Sequence, residues 1–400
     1  MFAALNSARR AISTRFGKTA IMLGAVLALS ACEPLTMTTG ATSGGPTIDT
    51  TAPVPVALLV PRGGGNSGDD LLAQSLENAA RLAVADLQGV KIDLRVYGTA
   101  GNPGMAQQAA LQAVSDGAKI ILGPVYAESA NAVAVAVASK GVNVLSFSNN
   151  TTIAGGNLFV LGPTFANTAD RLVGYAAKNG KKRIVIAHDN NVPGQLGSQA
   201  IQTAAARNGA TITSTVGYDL SQQGVVAAIP QIAAAVKSSQ ADAVFMTANT
   251  SGALPLLTQM LPEQGVSPAT TQFIGLTRWD IPAQAIDLPG VQGGWFAMPD
   301  PTMTAQFGAR YSTAFGAAPH PIGGLAYDGI AAIGALVKGG KSNALTGAAL
   351  TQGAGFQGTG GVFRLRSDGT NQRGLAIAQI RNKQVVVIDP APRSFGGAGF

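Results

Sequence analysis

The feature that most limits what this 400-residue chain can fold into is a regular exchange of two periodicities. Short apolar and β-branched runs recur: VALLV (56–60), IDLRVY (92–97), KIILG (119–123), VNVLSF (142–147), then RIVIAH (183–188), TITSTVGY (211–218), DAVFMTA (242–248), QFIGL (272–276) and GWFAM (294–298). Between them lie stretches of helical period. Leu72, Leu76, Ala79, Ala80, Ala83 and Leu87, for instance, fall on one helical face. Strands that alternate with helices of this length predict an α/β fold of parallel sheets covered on both faces. With 46% hydrophobic and 12% charged residues, the chain has the apolar content to bury two such cores.

There are more strand-helix units than one sheet comfortably holds. The stretch 157–188, NLFVLGPTFANTADRLVGYAAKNGKKRIVIAH, reads as a crossing into a second sheet, and GWFAMPDP (294–301) as a return. The helices around FGARYSTAF and GGLAYDGIAAIGALV then rejoin the first lobe. The expected organisation is a signal segment at 1–31, a lipidated N-terminus and flexible tether at 32–53, a first lobe of 54–165 plus about 300–345, a second lobe of 166–299 plus about 346–390, and a tail at 391–400.

The N-terminus is separate in character. Arg9, Arg10, Arg15 and Lys18 precede the apolar run TAIMLGAVLAL, which is too short to span a membrane and reads as a secretory signal. Leu29, Ser30, Ala31 and Cys32 resemble a bacterial lipobox, so Cys32, the sole cysteine, is expected to be acylated and to leave the protein without a disulfide. Glu33 stands where an aspartate would mark inner-membrane retention, which favours the outer membrane. The signal holds four basic residues and no acid, so its removal takes the formal charge from +7 to +3. What remains has no basic cluster interleaved with aromatics, and nucleic acid is not expected as a partner.

The glycine-rich turn PRGGGNSGDD (61–70) poses the sharpest chemical question, because Gly63, Gly65 and Gly68 spell GxGxxG. In a dinucleotide site the glycines admit a pyrophosphate to a helix N-terminus, and an acid at the end of the next strand holds the ribose. Here that strand ends in Tyr97 and Gly98, and Asp69 and Asp70 occupy the helix start, where they cap the helix and repel a phosphate. A second decoy, GGKS (339–342), follows a helix rather than a strand and reads as a helix C-terminus. No serine sits in a nucleophile elbow, and His188 and His320 are the only histidines. Neither an enzyme nor a cofactor is expected.

The carboxyl ends of the strands carry more information, since in open α/β sheets they line the ligand crevice. They read PRGGGNSG, GPVYAES, SFSNN, HDNNVPG, TANTSG and GLTRWD. Arg62, Tyr126, Ser148, Asn149, Asn150, Asn190, Asn249 and Arg278 are therefore candidate ligand contacts.

Over residues 54 to 390 the chain resembles the type I periplasmic-binding family, of the leucine/isoleucine/valine-receptor kind. Carrying the resemblance are VALLVPRGGG, GAKIILGPVYAESANAVAVAVASKGVNVLSFSNN, RIVIAHDNNVPGQLGSQAI, AYDGI and GFQGTGGVFRLRSDGTNQRGLAIAQI, in family order. Within the family it is most similar to the lipoprotein branch of penicillin-binding protein activators, although it lacks the helical-repeat N-terminal domain of the enterobacterial activator. The resemblance implies two Rossmann-like lobes joined by several crossover strands and a ligand held between them. Where amino-acid receptors place carboxylate-binding hydroxyls, this sequence has Ala127 and Ser148 to Asn150. Where they place the ammonium's tyrosines and acid, it has Pro193, Asn249 and Thr277. Branched-chain amino acids are thus not the expected ligand, and Arg62 with Arg278 favours a small polar or anionic one. The partner implied is an ABC permease, or in the activator reading a peptidoglycan synthase; contact with the membrane would be through the lipid anchor only.

Overall fold

The computed structural model describes residues 45–395. The signal segment, Cys32, most of the tether and residues 396–400 lie outside the described residues.

The first sheet contains β1 (Val54–Val60), β2 (Ile92–Gly98), β3 (Ile120–Leu122), β4 (Asn143–Ser146) and β5 (Leu158–Val160), all parallel, in the order β2-β1-β3-β4-β5. Helices α1 (Ser67–Asp86), α2 (Pro103–Ser115) and α3 (Ala127–Val137) connect its strands. One face packs against α1, the other against α2 and α3. Val56 to Val60 are wholly buried, as a central strand covered on both faces requires. Edge strand β2 is only half-buried and carries the Asp93–Arg95 ion pair. Charge on an edge discourages pairing with another chain.

From β5 the chain passes into α4 (Phe165–Lys178) and a second sheet. This comprises β6 (Arg183–Asp189), β7 (Thr211–Tyr218), β8 (Ala243–Met246), β9 (Gln272–Gly275) and β10 (Trp295–Met298), linked by α5 (Val192–Asn208), α6 (Gln222–Ser239) and α7 (Leu254–Glu263). The chain then returns to the first core with α8 (Pro301–Phe315) and α9 (Gly324–Lys338); Phe307, Tyr311 and Ile330 are buried there beside Leu72 and Leu76 of α1. An antiparallel three-stranded sheet follows, β11 (Phe356–Gly358), β12 (Gly361–Leu365) and β13 (Asn371–Arg373). After it, β14 (Ala376–Arg381) and β15 (Gln384–Asp389) complete the second sheet in the order β15-β14-β10-β9-β8-β6-β7.

Three segments expected elsewhere are placed differently. Residues 346–390 were expected in the second lobe as a whole, but Phe356, Phe363 and Leu365 bury in the first core and only β14 and β15 join the second sheet. The end of the expected tether is docked: Ile48 is 4% exposed in the first core, and its amide donates to the Ser342 carbonyl at 2.9 Å. The tail is held too, with Ala391 and Phe395 buried and the Arg364 guanidinium 4.7 Å from the Phe395 ring centre. In each case one or two apolar side chains find a core within reach of a short stretch of chain, and burying them opposes the loss of chain entropy.

The glycine cluster is a turn whose anion site is already filled. Gly63 and Gly65 adopt φ of 96° and 76°, and a side chain on Gly64 would strike the Ala100 carbonyl. Asn66 caps α1, accepting from Gly68 and Asp69, while the Gly63 amide donates to the Asp70 carboxylate at 3.3 Å. The protein's own acid thus takes the place a phosphate would need.

Candidate functional site

The chain crosses between the two sheets three times, at residues 161–164, 299–300 and 374–375. A buried polar network ties the first and third crossings together. Asp328 of α9, 1% exposed, pairs with Arg373 at 3.0 Å, and its other oxygen accepts from the Thr359 amide and hydroxyl at 2.6 and 3.0 Å. Arg373 places two further donors on the Leu161 carbonyl, at 3.1 and 2.6 Å. Asn371 donates to the carbonyls of Val160 and Gly162, at 2.7 and 2.9 Å, and accepts from Asn167 of α4 at 2.7 Å. Every charge here has its partner, as burial demands.

Two cavities of similar size flank the first crossing and share Thr164 and Phe165. The larger, about 540 Å³, is bounded by the rim of the second sheet at Leu276, Thr277 and Arg278, and by His320 and Ile322 from the loop between α8 and α9. Its walls are largely apolar, with Met298, Phe307, Leu325 and Leu375 among them, and Asp328 and Arg373 close one side. The smaller, about 520 Å³, lies between Asn149 and Asn150 on the first lobe's rim and Pro193 and Leu196 at the start of α5.

Sequence reasoning placed ten residues at one crevice, whereas the structure disperses them. Thr277 and Arg278 line the larger cavity, and Asn149 and Asn150 the smaller. Arg62, Tyr126, Ala127, Ser148, Asn190 and Asn249 line neither. Each of the six is engaged locally. Ser148 is buried and its hydroxyl accepts from the Asn150 amide at 3.1 Å; Ala127 opens α3; Asn190 donates to Asp219 at 2.8 Å; Asn249 accepts from the Ser251 amide at 3.0 Å. The Tyr126 hydroxyl bonds to Asp69, and this bond, ahead of burial, pushes its pKa up to about 12.

The largest correction concerns charge. Arg62 is tied to Glu77 at 2.8 Å, and Arg81 binds the same carboxylate. Burial works to raise the Glu77 pKa, but the hydrogen bonds from Arg81 and Arg62 outweigh it and hold that carboxyl below the ordinary glutamate range. Arg278 is bidentate on Asp280, at 2.9 and 2.5 Å. Both arginines are thus satisfied within the protein, and the anionic bias they were expected to impose is cancelled at its source. Asp280, conversely, has no charge to spare for a ligand ammonium.

His320 and Ile322 were missed as site residues, as were Phe165, Met298 and Arg373, whereas Asp328 was expected as a structural hinge or helix residue. His320 is an exposed residue whose partial desolvation lowers its pKa.

A family model described as periplasmic binding protein matches residues 53–384. The chain belongs to the periplasmic-binding-protein family. Its fold is the type I periplasmic-binding fold, and the family is one of periplasmic solute-binding proteins, which is compatible with a non-enzymatic role. A search of the curated proteins returns no match. Among solved structures, a putative branched-chain amino acid ABC transporter protein from Rhodospirillum rubrum superimposes with a TM-score of 0.71 at 17% identity, over 84% of this chain and 100% of the other. A branched-chain amino acid ABC transporter periplasmic ligand-binding protein from Burkholderia xenovorans LB400 gives 0.66 at 18%, over 86% and 97%. A solute-binding protein of an ABC transporter from Rhodopseudomonas palustris BisB5, in complex with 3,4-dihydroxybenzoic acid, gives 0.56 at 19%, over 86% and 97%. At these identities the likeness is one of fold.

Proposed function

We propose that this periplasmic binding protein captures a small solute between its two lobes and presents it to a membrane permease. The observation that carries the reading is the larger cavity. Its wall is assembled from the second sheet's rim, the α8–α9 loop and all three crossings, so a solute there touches the segments about which the lobes would move. A molecule that contacts both sides of such a joint stabilises the arrangement in which it is enclosed. Addition of the right solute is expected to raise the melting temperature and reduce the radius of gyration in small-angle scattering together. A solute that binds while leaving the scattering curve unchanged would count against capture by closure. The smaller cavity presents the amides of Asn149 and Asn150 and is the alternative solute site.

A regulatory role, in which the same fold contacts a peptidoglycan synthase, is the competing reading. Capture of such a synthase from envelope extracts by the solute-free protein, undiminished when solute is added, would favour it.

Lipid anchoring through Cys32 belongs to the same proposal and rests on Leu29, Ser30 and Ala31 preceding the chain's one cysteine. Cys32→Ser should abolish incorporation of a labelled fatty acid and move the protein from the membrane to the soluble fraction. Undiminished labelling of the variant would defeat the assignment. Glu33 at the following position supports the outer membrane as its destination.

A further inference from the structure

Four ionisable side chains reach the larger cavity: Arg278, His320, Asp328 and Arg373. Three are neutralised by partners inside the protein. Arg278 is bidentate on Asp280, while Arg373 and Asp328 satisfy each other along with the Leu161 carbonyl and the Thr359 amide. The fourth, His320, is exposed at the edge of the cavity and accepts the Ile322 amide at Nδ1, the arrangement of a neutral imidazole. Three of the five hydroxyls are occupied as well: Thr277 donates to the Ala248 carbonyl at 3.0 Å, Thr304 to the Asp300 carbonyl at 2.8 Å and Thr359 to the Asp328 carboxylate, while Thr164 accepts from the Asn167 amide. What remains is apolar surface, the uncharged hydroxyls of Thr164 and Thr168, and the imidazole. The Ile322 amide donates to Nδ1 of His320 at 3.3 Å, which leaves the imidazole proton on Nε2.

We infer that the solute of this cavity is an uncharged molecule with an apolar body and a hydrogen-bond acceptor that meets Nε2 of His320. The inference rests on the reading of this cavity as the capture site. A carboxylate entering here would lose its hydration and find no cation whose charge is unspent, and an amino acid would add an ammonium with no unspent acid. An amide, ester, aldehyde or alcohol of the same shape escapes both penalties.

The test compares solutes of one body and different charge: cinnamamide, cinnamate and leucine, titrated calorimetrically into the full chain in detergent. Two variants accompany the wild type. Gly308 lies on α8 in the cavity wall, where an added Cβ meets nothing within 4 Å, so Gly308→Trp is the substitution chosen to direct an indole at the cavity. Asp280→Asn removes the carboxylate that neutralises Arg278. The expected result is that cinnamamide binds at least about 100-fold more tightly than cinnamate, the scale set by burying an unpaired carboxylate. Gly308→Trp should abolish this binding while leaving the circular dichroism spectrum unchanged, and Asp280→Asn should narrow the gap by admitting cinnamate. If cinnamate or leucine binds the wild type as well as cinnamamide does, and Gly308→Trp blocks it, the cavity is the capture site but the inferred class is wrong. If whichever solute binds is indifferent to Gly308→Trp, the site reading itself falls. Failure of all three to bind, with wild type and variants alike, overturns the inference for this chemical class.

Discussion

Replacing Asp328 with alanine is expected to destabilise the protein by about 3–5 kcal/mol, the range for removing one partner of a buried ion pair. The size follows from what is left behind. Arg373, 10% exposed, would keep its two contacts with the Leu161 carbonyl but lose its counter-charge, and the Thr359 amide would lose its acceptor. Asp328→Asn should cost less, since an amide oxygen still accepts from Thr359. The pair Asp328→Leu with Arg373→Met should recover part of the loss, because no charge is then stranded in the interior. Urea denaturation of the four proteins decides the matter. A loss below about 1 kcal/mol for Asp328→Ala would show that water reaches Arg373 and that the crossings are not held by this network.

That network illustrates why parts of the site were not legible in the sequence. Its members come from α4, α9, the first crossing and β13, and nothing local in AYDG or NQRG announces that they meet. The sheets were legible because parallel strands buried on both faces must be continuously apolar, as VALLV is, and because the helices between them repeat at 3.6 residues. The glycine turn was legible through its acids, of which Asp70 takes the loop's own Gly63 amide and Asp69 the Tyr126 hydroxyl. Strand ends pointed to a crevice, but a polar residue at a strand end is as readily used for capping, and Asn66, Asn102, Asn150 and Asn191 all cap helices or turns. The pairing of Arg62 with Glu77 needs the glycine turn and nearly three helical turns to bring it about, so charge counting misjudged it. The Arg278–Asp280 pair could have been read. After β9 the chain bends around an inward Trp279, and the RWD triplet sets its two charges side by side.

That inward tryptophan carries the other large expected effect. Trp279 is fully buried, and the backbone around it is cut to its shape: a side chain on Gly275 would lie 2.1 Å from the indole, and one on Gly294 2.0 Å from it. Gly275 at the end of β9 and Gly294 just before β10 thus make a slot cut to this ring. Trp279→Ala should cost about 3–5 kcal/mol, since removal of a large buried aromatic adds a cavity to the lost transfer free energy. Two glycines in the wall limit relaxation, for neither has a side chain that could swing into the space. The indole nitrogen finds no hydrogen-bond partner among the described residues, so Trp279→Phe gives up no such bond and should cost less than half as much. The functional consequence is separate from the stability. Trp279 anchors the loop that holds Thr277 and Arg278 at the cavity and Asp280 against Arg278, and without the anchor those side chains lose their fixed geometry. Even at temperatures where Trp279→Ala remains folded by circular dichroism, solute affinity should fall at least about tenfold, corresponding to roughly 1.4 kcal/mol. Retention of full affinity in the folded variant would mean that the loop is positioned by its own ion pair and not by the ring beneath it.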